Sequence, residues 1–267
     1  MKIIKLINSF LNFIVFIFFV VSLSFSFYAL YDIYAVYENT ELSGEILKYK
    51  PTNNENDFEG EFSLTDIQKI NKDIVGWIRI DDTNIDYPIL AGIDNTDYLK
   101  KDYKGDYSPA GSIFLDYRNS KSLDDDFSVI YGHNMAKGLM FSDIKKFKDS
   151  NFFDLHKTGK LYTENGVYNL TIYSFNIVNA NKDISYKLQK YSNGNNKELV
   201  DNLINHAINK RDVVVEDNDK FLLLSTCYGV ANYDRSVILT KLQKSDESSI
   251  IKNDKSINNN DLDNSII

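Results

Sequence analysis

Between Lys5 and Asp32 the chain runs LINSFLNFIVFIFFVVSLSFSFYALY, 26 residues without a single charge. About 20 helical residues rise about 30 Å, the thickness of a bilayer's hydrocarbon core, so this run is long enough to cross a membrane. A secretory signal has an apolar stretch of only about 7–15 residues ahead of a small-x-small cleavage site. Here the run is longer, and Ser24-Phe25-Ser26 is only a weak match to such a site. The segment therefore reads as an uncleaved anchor. The alternative is a buried core helix, which is not normally apolar all round in a domain of ordinary size. Lys2 and Lys5 precede the run while Asp32, Glu38 and Glu41 follow it. That asymmetry places the N-terminus in the cytoplasm and the rest of the chain outside.

Beyond the anchor, the polar stretch ENTELSGEILKYKPTNNENDFEG suits a linker, with one short helical patch around Leu42 to Leu47. From Ser245 onward the chain is rich in Asn, Asp and Ser, lacks aromatics, and reads as a disordered polar tail. The expected organisation is thus an anchor over 1–37, a linker over 38–62, one folded domain over 63–244 and a tail over 245–267. Within the domain, Ser63 caps a short helix in SLTDIQKIN. Further helices are expected over 139–149 and 197–210, where apolar residues recur at helical spacing. The remainder reads as short strands: GWIRI, IDYPIL, GSIFL, FSVIYG, GKLYTE, GVYNLTIYSFNIV, DVVVE, KFLLLST and SVILTKLQ. Asn165-Gly166 joins two of them as a hairpin. Eight or nine such strands with few helices predict a mainly β (α+β) fold, a closed barrel or a sandwich.

Charge excludes one class of partner. The net charge is −8, and nothing supplies the clustered Lys and Arg that nucleic-acid binding needs. One cysteine permits no intramolecular disulfide and no resolving thiol, which argues against a redox role. That cysteine, Cys227, stands where the apolar run FLLL has ended, and Arg235 opens the next strand after the connection YGVANYD. If those strands pair as a hairpin, thiol and guanidinium come to one place, strand neighbours being about 5 Å apart. A fixed positive charge favours the thiolate, which is the nucleophile, and stabilises charge developing on an attacked carbonyl. The bland alternatives are a core cysteine and a surface salt-bridge arginine. Of the three histidines, His133 follows the strand FSVIYG directly, and Gly132 lets the chain turn there. His156 and His206 carry no comparable signal.

Taken together, YGHN, LSTC and DRSVIL resemble the signature of a sortase: a histidine after one barrel strand, TC closing a later strand, and an arginine opening the last. The resemblance covers about residues 63–243. It looks like class B, on INKDIVGWIRIDDTNIDYPIL, GSIFLDYRN, HNMAKGLMFSDIKKFKDSNFF and a helix-bearing insertion over 180–212. What it implies is a membrane-anchored transpeptidase of a Gram-positive cell surface, with an eight-stranded barrel and extra N-terminal helices. Cys227 would be the nucleophile, His133 the general acid and base, and Arg235 the group that orients substrate and stabilises the oxyanion. Ser225 matches a substrate-contacting position. The implied partners are surface proteins bearing a C-terminal sorting signal and an amine of the peptidoglycan cross-bridge or its lipid-linked precursor.

The chain departs from the pattern after the cysteine. Some class B members carry an acid there, whereas Tyr228-Gly229-Val230 follow here and the next carboxylate is Asp234, so no third acid is assigned. Asp124-Asp125-Asp126 reads as a turn without a ligand ladder, and no metal or cofactor is expected. Two other readings stay open. A thiol hydrolase would use the same three residues, and a membrane-tethered binding module would use Cys227 only as core.

Overall fold

The computed structural model describes residues 2–40, 42, 44–51, 62–180, 196–212, 214–216, 218–227 and 233–245. All of the expected tail (245–267) but Ser245, part of the linker (52–61), and the first half of the expected insertion (181–195) lie outside the described residues. The chain divides into two compact units, Met1–Glu41 and Leu42–Ile267.

The first unit is a single helix, α1 (Lys2–Thr40), and Lys2–Tyr34 within it is long and apolar enough to cross a membrane. Two of its hydroxyls are satisfied inside the helix: Ser24 Oγ donates to Val20 O and Ser26 Oγ to Ser22 O, both at 2.9 Å. Polar groups satisfied in this way do not oppose an apolar surrounding.

The second unit is built on β1 (Ile74–Ile80), β2 (Asp86–Leu90), β3 (Ile113–Leu115), β4 (Phe127–Tyr131), β5 (Thr158–Thr163), β6 (Gly166–Asn179), β7 (Asn209–Lys210), β8 (Lys220–Cys227) and β9 (Asp234–Lys244). Their order is β5-β1-β2-β3-β4-β8-β9-β6-β7, and β5 also pairs with β6. That pairing closes eight strands into a mixed barrel and leaves β7 as a two-residue annex. The β2–β3 and β4–β8 pairs are parallel and the others antiparallel. β6 can serve two neighbours on one side because its register shifts between Ile172 and Ser174. Its first half pairs with β5 and its second with β7, the bend a bulge provides.

Three apolar clusters use the two faces of this sheet. Ile78, Ile89, Ile130, Leu222, Leu224 and Ile238 belong to the first, which Phe141, Ile144 and Phe147 complete. Phe127, Val129, Leu223 and Leu239 belong to the second, on the opposite face of the same strands, beneath α4 (Asn196–Asn205). β8 is therefore buried on both faces, which is why it reads as an unbroken FLLL rather than as an alternation. Leu199, Val200 and Leu203 of α4 are buried there, each contributing roughly 1.5–3 kcal/mol. The third cluster gathers Ile46, Ile67, Trp77, Tyr98 and Phe114. Ile46 sits in a 3-10 turn, Gly44–Tyr49, so part of the segment that reads as linker is packed into the folded unit.

The helices differ from expectation in two places. Ser63 does cap a short α2 (Leu64–Ile67), accepting from Asp66 N. The segment 139–149 is instead a 3-10 helix, Ser142–Lys148, followed by α3 (Ser150–Leu155) with Asp149 as its cap. Phe141, Ile144 and Phe147 recur every three residues, the period at which a 3-10 helix keeps one face inward. The helix expected over 197–210 stops at Asn205, because Ile208 N donates to Phe175 O and draws the chain into β7. DVVVE forms no ladder at its described positions. Val214 is exposed there, and its carbonyl accepts from Lys241 Nζ at 2.8 Å.

Candidate active site

β8 and β9 pair in strict register from Lys220↔Leu242 to Cys227↔Arg235, so the last residue of one strand stands opposite the second residue of the other. The expected hairpin is present, with its connection 228–232 outside the described residues. On the other side of β9, Arg235 is opposite Val178 of β6. Arg235 is partly buried, and Nη1 donates to Asp234 O at 3.2 Å. Among the described residues it has no carboxylate partner, so the salt-bridge alternative finds no support there. Asp234 points elsewhere: its Oδ1 accepts from Asn179 Nδ2 at 2.9 Å.

The parallel β4–β8 pair brings the histidine to the same end of the barrel. Tyr131 is opposite Ser225, and Gly132 N donates to Ser225 O at 3.1 Å. His133 then follows Tyr131 by two residues, as Cys227 follows Ser225. Gly132 is required here by close packing, since a Cβ at this position would run into Ile113 and Phe141. The backbone of His133 is pinned from behind, its carbonyl accepting from Phe141 N at 2.9 Å.

The imidazole of His133 is partly buried, and Nε2 lies 3.0 Å from Leu99 O. A carbonyl oxygen only accepts, so Nε2 carries the proton in this contact. Nδ1 has no partner among the described residues and is the ring atom left for proton transfer. Leu99 ends a 3-10 turn, Asp97–Leu99, in the long β2–β3 connection. Gly111 lies against that turn at φ +62°, and a Cβ there would sit 2.6 Å from Leu99 O. Tyr98 is locked beside it by Asp73 and Asn71, and burial pushes its phenol up to about 12.

Ser225 is on the β4–β8 seam but only 1% exposed, so it underlies the site rather than lining its open surface. The other histidines are engaged structurally. His156 Nδ1 donates to Phe152 O and its ring stacks on Phe152, while His206 Nδ1 donates to Asn202 O.

One group near the site is absent from the sequence reading. Asp116, just after β3, is fully buried, and its carboxylate accepts from Arg118 Nε and Nη2 at 2.8 and 2.7 Å and from Tyr131 Oη at 2.8 Å. Burial pushes its pKa up, but the hydrogen bonds from Arg118 and Tyr131 outweigh that and hold it below the usual carboxylate range. The signal lay within GSIFLDYRN, where an acid and an arginine two residues apart follow an apolar strand.

Residues 78–243 match the Sortase domain family, and the chain belongs to that family. It is a sortase-type cysteine transpeptidase. Relatives of class B match it over most of the folded unit. Sortase B of Listeria monocytogenes is 38% identical over 182 residues, 67% of this chain and 73% of that protein. The solved sortase B of Clostridium perfringens is 36% identical with a TM-score of 0.62, over 68% of this chain and 100% of that one. A Staphylococcus aureus sortase B-substrate complex is 29% identical with a TM-score of 0.58, over 67% and 84%.

Proposed function

We propose that Cys227, His133 and Arg235 carry the transpeptidation, and that the observation supporting this most directly is the Cys227↔Arg235 pairing beside the strand end that bears His133. The Cys227 thiolate attacks the carbonyl carbon after the threonine of a C-terminal sorting motif. Charge collects on the carbonyl oxygen, where the Arg235 guanidinium stabilises it. The C–N bond breaks as the His133 imidazolium gives its Nδ1 proton to the leaving amine, and a thioester remains on Cys227. An amine of the cell wall or its precursor then attacks the thioester. Neutral His133 takes a proton from it at Nδ1, and the thiolate leaves, so the enzyme returns unchanged. Ser225, buried in the β4–β8 seam, contributes through its backbone, which accepts from Gly132 N and so sets the strand end that leads to His133.

The same reading gives the chain its layout: an anchor over 1–37 with a cytoplasmic N-terminus, a connecting segment over 38–62 of which Gly44–Tyr49 packs into the folded unit, a catalytic domain over 63–244 on the outer face of the membrane, and a polar tail over 245–267. Substrate and acceptor are both met at the cell surface, which is what a tethered domain there is suited to reach. The likeness to a sortase B solved with its substrate favours a sorting peptide as the first substrate.

The test is to incubate the protein with a library of peptides varied around an Asn/Ser-Pro-x-Thr-x motif, with and without an amine, and to follow the enzyme by mass spectrometry. The expected result is a covalent adduct of the N-terminal peptide half on wild type, absent in Cys227→Ala, that is discharged faster by amine than by water. An adduct that persists in Cys227→Ala, or discharge indifferent to amine, overturns the reading.

A further inference from the structure

The position of His133 depends on two separate stretches of chain: the strand end that carries it, and the loop that offers it the Leu99 carbonyl. Asp116 touches both. Its Oδ2 accepts from Tyr131 Oη at 2.8 Å and from Asn95 Nδ2 at 3.1 Å. Tyr131 is the last residue of β4, two before His133. Asn95 opens the turn that leads to Leu99, and its amide is itself oriented, since Oδ1 accepts from Tyr117 N at 3.0 Å.

The chain between Asn95 and Leu99 is stiff enough to transmit that hold. Asp94 Oδ1 accepts from Thr96 N, Thr96 Oγ1 and Asp97 N at 2.7–2.9 Å. Leu99 N donates to Thr96 O, and Ser112 N closes on Tyr98 O. The anchor at the other end is equally fixed, because Arg118 holds both oxygens of Asp116 from its Nε and Nη2. A fully buried carboxylate whose oxygens are all engaged has one available geometry, unlike a surface ion pair.

We infer that Asp116 is a positioning residue for His133: it holds the end of β4 and the Leu99 loop at the spacing where Nε2–H reaches the Leu99 carbonyl, and so presents Nδ1 for proton transfer. The inference rests on the acid/base role proposed above. Without this tie the spacing between loop and strand end is set less tightly, and the hold of Leu99 O on Nε2–H weakens. The neutral ring then divides between two tautomers, and only the one protonated at Nε2 leaves Nδ1 able to take a proton.

The test is long-range 1H–15N NMR of full-length protein in detergent micelles, with ring-labelled histidine, above the pH at which imidazole titrates. The His133 signals are assigned by their loss in His133→Ala. Wild type is expected to show one protonated nitrogen, Nε2, and one bare nitrogen, Nδ1. Asp116→Asn preserves size but removes the charge and the ion pair with Arg118. Its His133 signals are expected to move toward the tautomer average, with acylation kcat lowered about ten- to a hundredfold and KM within about twofold. Tyr131→Phe and Asn95→Ala each cut one tie and leave the Asp116–Arg118 pair intact, and each is expected to shift the tautomer balance part of the way. These two decide the matter if Asp116→Asn does not fold. A single Nε2–H signature retained in every folded variant overturns the inference, whatever the rates. The acid/base role fails separately, if His133→Ala forms the acyl-enzyme as fast as wild type, and the NMR arm needs no turnover.

Discussion

In the proposed mechanism Arg235, paired in register with Cys227, acts on the developing negative charge, and the geometry of its donors matters as much as its own charge. Arg235 spends one donor on Asp234 O, and in the proposed mechanism the rest of its fork serves an incoming oxyanion. Lysine would restore the charge but not the planar, two-pronged reach. Arg235→Lys is therefore expected to lower kcat/KM about 10²–10³-fold, as loss of one oxyanion donor typically does, with the melting temperature unchanged. Steady-state kinetics on one sorting peptide with a thermal melt beside it measures both. Wild-type acylation by Arg235→Lys would reduce the arginine to a strand-end residue. Asp234 cannot take over as a third acid in this arrangement, because its carboxylate is turned to Asn179.

At the scale of elements, a clamp of one side chain ties the barrel to its flanking helix. Arg211, just past β7, donates from Nη1 to Ile172 O at 2.7 Å and from Nη2 to Phe153 O and His156 O, with its guanidinium stacked 4.0 Å over the Phe153 ring. Lysine cannot reach three carbonyls from two elements at once. Charged hydrogen bonds contribute about 1.5–3 kcal/mol, so Arg211→Lys should lower the melting temperature by roughly 3–12 °C for a domain of this size while leaving the acylation rate of the folded protein intact. A melt within experimental scatter of wild type would show that the clamp holds nothing. Arg211 also marks the limit of what the sequence discloses. Strands are visible where one face or both are apolar, and the Cys227–Arg235 pair is visible because a short connection forces two adjacent strands together. Asp116, Asn95 and Leu99 are not, since their relation to His133 arises only when β2, β3 and β4 fold side by side. The 3-10 character of the helix expected over 139–149 is not legible either, because a three-residue apolar period fits either kind of helix, and only the packing of Phe141, Ile144 and Phe147 into the core selects the tighter one.

For the molecule as a whole, the proposed anchor coincides with the separation into two units, Met1–Glu41 and Leu42–Ile267. α1 exposes Phe, Ile, Leu and Val over its length, a surface that water penalises and a bilayer does not. The second unit buries its own core, and its first packed residues, Leu42 and Ile46, lie beyond the helix. None of the groups assigned to catalysis belongs to α1. Removing residues 1–41 is therefore expected to give a domain that stays in solution without detergent, melts cooperatively, and forms the acyl-enzyme at a rate within about twofold of the full chain in micelles, since a tether adds local concentration rather than chemistry. On vesicles displaying the amine acceptor at low density, the full chain is expected to outpace the truncated one by tenfold or more, as effective concentration on a shared surface predicts. Sedimentation, a thermal melt and the two rate measurements test each part. A truncated protein that is folded yet fails to acylate in solution would show that α1 does more than place the domain, and equal rates for both forms on vesicles would remove the reason for an anchor.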